Sequence, residues 1–102
     1  MIIVPELDIF LNELILEYFS KFNPNKGLYK SAKIGYKKLI RYYINKGAND
    51  WELALFGAAG GGHTKLCKEF IYLYDAEDID LAIYAAKRKG HHELAKFLRR
   101  FC

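Results

Sequence analysis

Apolar residues recur at three- and four-residue spacing along most of the chain. Leu7, Phe10, Leu11, Leu14, Ile15, Tyr18 and Phe19 make one wide apolar stripe, which predicts an amphipathic helix over residues 6–20. Pro5 suits its first turn, and Glu6 and Asp8 favour the positive end of its dipole. Asn23-Pro24-Asn25-Lys26-Gly27 reads as a turn that ends this helix. Leu28 to Ile34 then predicts a short helix broken at Gly35. Lys37 to Lys46 predicts the next, with Leu39, Ile40, Tyr43 and Ile44 inward and Gly47 as its C-cap residue. Asp50 is placed to cap a helix from Trp51 to Gly60. Gly62 closes it, and Thr64 to Leu73 forms an antiparallel partner. Asp78 repeats the capping role for Ile79 to Lys89. Gly90 repeats the closure, and His92 to Arg100 is the last predicted helix.

The pattern repeats. Residues 47–63 recur as residues 75–91 at an offset of 28. Leu53, Ala54, Ala58, Gly62 and His63 map onto Leu81, Ala82, Ala86, Gly90 and His91, and Leu66 maps onto Leu94. A fixed period of this length signals stacked helix pairs. In each pair a helix rich in alanine admits close neighbours, and a bulkier helix fills the gaps with Leu66, Phe70, Leu94 and Leu98. One pair cannot bury its own face, so stacking supplies the core. Tyr29, Ala32, Gly35, Leu39 and Tyr43 match Phe56, Ala59, Gly62, Leu66 and Phe70 at an offset of 27, which adds a degenerate copy. Leu14, Ile15, Tyr18 and Phe19 match Leu39, Ile40, Tyr43 and Ile44, so residues 6–26 read as a capping half-repeat. The expectation is a single all-α domain over residues 1–102. Repeats occupy residues 27–49, 50–77 and 78–102, the last also serving as the C-terminal cap.

Composition narrows the class. With 52% hydrophobic residues the chain supports an ordered core. No apolar run reaches the roughly 18–20 residues of a membrane span. Met1-Ile2-Ile3-Val4 is too short for a signal peptide. Two cysteines cannot build a disulfide scaffold, which favours a reducing compartment: intracellular, cytoplasmic first, with the nucleus open. The net charge of +4 is banded. Residues 21–46 carry eight bases and no acid, and residues 79–102 carry six bases and two acids. Such bands bear on partners and association rates.

Ala58-Ala59-Gly60-Gly61-Gly62-His63 with Leu66, and Gly90-His91-His92-Glu93-Leu94-Ala95-Lys96-Phe97-Leu98, resemble the ankyrin-repeat pattern AAxxGHxEIVKLL. Gly47-Ala48-Asn49 resembles the closing Gly-Ala-Asp/Asn of that family. The closer resemblance is to the short ankyrin repeats of large DNA viruses. It covers residues 28–102 well and 6–27 weakly. Leu53-Ala54-Leu55-Phe56 and Leu81-Ala82-Ile83-Tyr84 stand where the family carries Thr-Pro-Leu-His, and Lys87 replaces the second alanine. The repeat is about five residues short, which implies shortened or missing β-hairpin fingers and little or no strand. The resemblance implies a non-catalytic protein–protein interaction module, an adaptor or a binder of a host factor. It carries contact positions onto Glu52 with Gly60 and Gly61, Asp80 with Arg88 and Lys89, and more weakly Lys33 with Ile34. Trp51 and Ile79 lie beside them. Trp51 has two readings, an exposed hot spot or a clamp within the stack.

Other chemistry is weaker. His63 and His91 follow helix-ending glycines and are expected to close the inter-helix turn by hydrogen bonds. A metal site with His92 and Cys67 has no supporting ligand spacing, so no metal is expected. Gly60-Gly61-Gly62-His63-Thr64-Lys65 lacks the spacing of a phosphate loop, and no cofactor is expected. No catalytic set is visible. Cys67 aligns with Ala95 and reads as a buried, inert thiol. Two alternatives to protein binding stay open. Tyrosines interleaved with bases suit nucleic acid. Phe97 and Phe101, four apart near the end of the last helix and rimmed by arginines, suit self-association or a docking patch.

Overall fold

A computed structural model describes residues 22–101. The capping helix expected over residues 6–20 and the terminal Cys102 lie outside the described residues. Among the described residues all regular structure is helical: α1 (Pro24–Ile34), α2 (Lys37–Asn45), α3 (Trp51–Gly60), α4 (Thr64–Tyr72), α5 (Ile79–Arg88) and α6 (His92–Leu98), then a 3-10 turn (Arg99–Phe101). The stretch Asn23–Gly27, expected as a turn, instead starts α1. Asn23 is the N-cap, and its Oδ1 accepts from the Lys26 N–H at 2.8 Å. Pro24 takes the first helical position, where its missing N–H costs nothing. Residues 24–26, expected in the capping half-repeat, thus belong to α1.

The helices form three antiparallel pairs, α1 with α2, α3 with α4 and α5 with α6, while α3 lies between α1 and α5. Three near-identical turns make the pairs. Gly35, Gly62 and Gly90 have φ of 85°, 76° and 83°. The next residue's N–H returns to a carbonyl five residues back: Tyr36 to Ser31, His63 to Ala58 and His91 to Ala86, at 2.8–3.0 Å. This Schellman closure needs a residue at positive φ, which glycine adopts without penalty.

The core follows the small-and-large pattern. Ala54, Ala58, Ala59, Ala82 and Ala86 are buried on α3 and α5, and Leu39, Leu66, Leu94, Phe70 and Leu98 are buried beneath them. Ser31 occupies the alanine position in α1. It is fully buried, and its Oγ donates to the Gly27 carbonyl at 2.8 Å, so no polar group is orphaned. Gly27 leaves room for the ring of Tyr43.

The two expected aspartate caps differ. Asp50 accepts from the Leu53 N–H at 3.1 Å. Asp78 makes no side-chain capping bond. The loops ahead of α3 and α5 are also tied by the preceding pair. Asn25 Oδ1 accepts from the N–H groups of Asn49 and Asp50, at 2.8 and 3.0 Å. Glu52 Oε2 accepts from the Glu77 N–H at 2.7 Å. Asn25 and Glu52 are equivalent at an offset of 27, so the same latch closes both loops.

Candidate functional site: a groove across three helices

The seams between helix pairs explain the histidines. His63 Nε2 lies 3.0 Å from the Lys33 carbonyl, which can only accept, so this nitrogen carries the proton. The ring also fills the space where a Gly35 side chain would sit, and the His91 ring fills the equivalent space at Gly62. The expected role is therefore corrected. These histidines join one helix pair to the preceding one, because the Schellman bonds already close each turn through the backbone. No atom lies within 4 Å of a Cβ built on Gly90.

A groove of about 260 Å³ crosses the face made by α1, α3 and α5. Its walls carry one aromatic ring per helix: Tyr29, Phe56 and Tyr84. These three are equivalent positions, at offsets of 27 and 28. Tyr29 and Phe56 stack with centroids 6.0 Å apart and planes 17° apart. Tyr84 is 56% exposed. Its hydroxyl accepts from Arg88 Nη1 at 3.1 Å, which holds the guanidinium over the groove.

The floor exists because α3 lacks side chains there. Gly57 and Gly60 face the groove, at positions where α1 has Lys30 and Lys33 and α5 has Ala85 and Arg88. Gly57 is dictated by packing, since a Cβ would lie 2.7 Å from the Tyr29 carbonyl oxygen. Gly60 is not, since a Cβ there would meet only Ala85 Cβ, at 3.9 Å. Lys33, Arg88 and Lys89 line the groove, and none of its lining residues is acidic. Lys33 and Arg88 flank Gly60 as its equivalents on the neighbouring helices.

The sequence-expected contact residues divide. Gly60, Arg88 and Lys89 line this groove, and Lys33 joins them. Ile34 is exposed at the end of α1. Gly61 is packed against the Lys33 carbonyl and the His63 ring, so it serves the seam. Ile79 is buried in the core, which removes it from any contact surface. Glu52 is engaged by the Glu77 N–H, and Asp80 is exposed on the first turn of α5. Trp51 follows the clamp reading. Its ring stacks on Tyr74 at 4.2 Å and lies 6.4 Å from the Phe70 ring, which ties α3 to α4 and the loop after it.

Phe97 and Phe101 are partly buried, edge to face at 5.3 Å. Lys68 and Arg100 lie over the Phe97 ring, and Phe101 meets Tyr72 at 5.6 Å. The open residues nearby are Tyr72 and Leu73 instead. The aromatic line Tyr29, Phe56, Tyr84 was absent from the expected contact set. Its equivalence across the repeats is the signal that identifies it.

Cys67 is fully buried, and burial pushes its thiol up to about 12. Among the described residues, no three His, Cys, Asp or Glu side chains converge as a metal site would require. No described helix is long and apolar enough to cross a membrane. No protein-family model, curated protein or solved structure matches this chain.

Proposed function

We propose that this chain is a non-catalytic protein–protein interaction module, an intracellular helical stack of the ankyrin-repeat type, which binds its partner on the face of α1, α3 and α5. The observation that carries the reading is the groove in which equivalent positions on the first helices of three successive pairs supply Tyr29, Phe56 and Tyr84. Repeat stacks recognise partners through such series of equivalent positions. The exposed aromatic and arginine pair, Tyr84 with Arg88, has the composition of a binding hot spot.

Nucleic-acid binding fits less well. Tyr29 and Phe56 each give one ring face to the other, Lys30 lies over the Tyr29 ring at 5.9 Å, and Lys26 and Lys30 lie over the Phe22 ring at 5.0 and 5.9 Å. Bases need free aromatic faces on which to stack.

Affinity capture from cell lysate with and without nuclease treatment, compared between the wild-type chain and a Tyr84→Ala/Arg88→Glu variant, tests the reading. Both residues are exposed, so the variant should melt with the wild type. The expected result is a protein retained by the wild type and lost with the variant. Equal capture by both refutes this face as the contact surface. Capture abolished by the nuclease alone refutes the protein-binding reading.

A further inference from the structure

Resting on that reading, we infer that the groove selects an acidic peptide segment, with one apolar side chain seated on Gly60 and a neighbouring carboxylate held between Lys33 and Arg88. Size comes first. At about 260 Å³ the groove falls below the roughly 300 Å³ at which sites for whole small molecules begin. It holds a side chain or two, which fits an anchor residue of a longer chain. The anchor's chemistry follows from the walls, since Phe56 and Tyr84 flank a floor of glycine and alanine with no polar side chain.

Charge then selects the neighbour. The C-terminal ends of α1, α3 and α5 meet at this end of the groove, and each contributes roughly half a negative charge, about −1.5 together. Lys33, Arg88 and Lys89 line this end, on or just after the last turns of α1 and α5. Their three formal charges outweigh the dipoles, so the rim is net positive. At Gly60, between Lys33 and Arg88, α3 supplies no cation. The gap between two cations is the place for one carboxylate, and Tyr84 already orders the guanidinium that would receive it. A nucleic-acid backbone needs cations that track successive phosphates, whereas these are gathered at one end of the helices.

The test is selection of a random peptide library displayed on phage against the whole chain. Fluorescence anisotropy of the enriched peptides then compares wild type, Gly60→Leu and Arg88→Glu. A Cβ at Gly60 meets only Ala85 Cβ, at 3.9 Å, so leucine enters on the open floor, and Arg88 is exposed; thermal melts should show both variants folded. The expected winners carry Asp or Glu beside an apolar residue and lose about tenfold or more in affinity with either variant. Winners that lack acids but are sensitive to Gly60→Leu overturn the acid preference and leave the contact face standing. Winners insensitive to Gly60→Leu overturn the contact face itself. A labelled oligouridylate that binds more tightly than any winner and competes with it overturns the peptide in favour of RNA. A library that yields no winner overturns both readings.

Discussion

One methyl group separates the glycines of α3. A Cβ at Gly57 collides with the Tyr29 carbonyl, whereas at Gly60 it makes only ordinary contact with Ala85. Gly57→Ala is therefore expected to destabilise the fold by about 1–3 kcal/mol through overpacking. Gly60→Ala should stabilise it by up to about 1 kcal/mol, since alanine costs less backbone entropy in a helix. Chemical denaturation of the two variants checks the pair, and equal effects would falsify the assignment of Gly60 to an open floor. Cys67 makes a second residue-scale prediction. Its thiol is raised from the ordinary 9.0 to about 12, because the apolar core penalises the thiolate. The native state then holds its proton while the unfolded chain releases one. The associated stability is intact below about pH 9 and is lost as pH rises toward 12, by at most about 1.4 kcal/mol per pH unit. Tyr43, also raised to about 12 by burial, adds loss of the same sign. Cys67→Ala should flatten the alkaline limb of stability against pH, and an unchanged limb would count against a buried thiol.

At the scale of elements, α3 and α5 each start where an aspartate precedes a large apolar residue, but the start is secured in different ways. Asp50 caps α3 through its own side chain, whereas the loop before α5 is held by Glu52 reaching from α3. Asp50→Ala should cost about 1 kcal/mol as a lost cap, and Asp78→Ala clearly less. Thermal melts of the two variants test this, and a larger loss for Asp78 would contradict the latch. Helix positions were legible in the sequence because periodicity and glycine closures are local signals. The start of α1 was not. Asn-Pro-Asn has the composition of a turn and of a helix N-terminus alike, and only the bond from Lys26 N–H to Asn23 decides between them. Trp51 was similarly ambiguous until its stacking on Tyr74 packed it, partly buried, against the core.

For the molecule as a whole, the described helices contact mainly their neighbours. Helix α3 has a neighbour on each side, α1 and α5, as well as its own partner α4, whereas α5, among the described helices, packs mainly on α3 and α6. Stability in such a stack sums local pair terms and interface terms. Amide exchange is therefore expected to be slowest in α3 and faster in α5 and α6. Exchange that is uniform across the helices would show that the described pairs open as a single unit instead.

Among the described residues, the sequence by itself determined the helical segments apart from the first turn of α1, their pairing and most of the core positions. Alanine, leucine and glycine recur at fixed offsets, and burial of a periodic face is a property of the local pattern. The resemblance to ankyrin repeats pointed to Gly60, Arg88 and Lys89 among its contact positions, and Gly60 and Arg88 are equivalents at an offset of 28. Tertiary structure alone decided what those positions make together. A groove arises where Gly60 leaves a gap that Lys33 and Arg88 flank from other helices. The histidines serve the seams because the ring of one pair enters the space left by a glycine of another. Such features depend on the absence of a side chain in one element and the reach of a side chain from its neighbour, and that relation exists only once the helices are side by side.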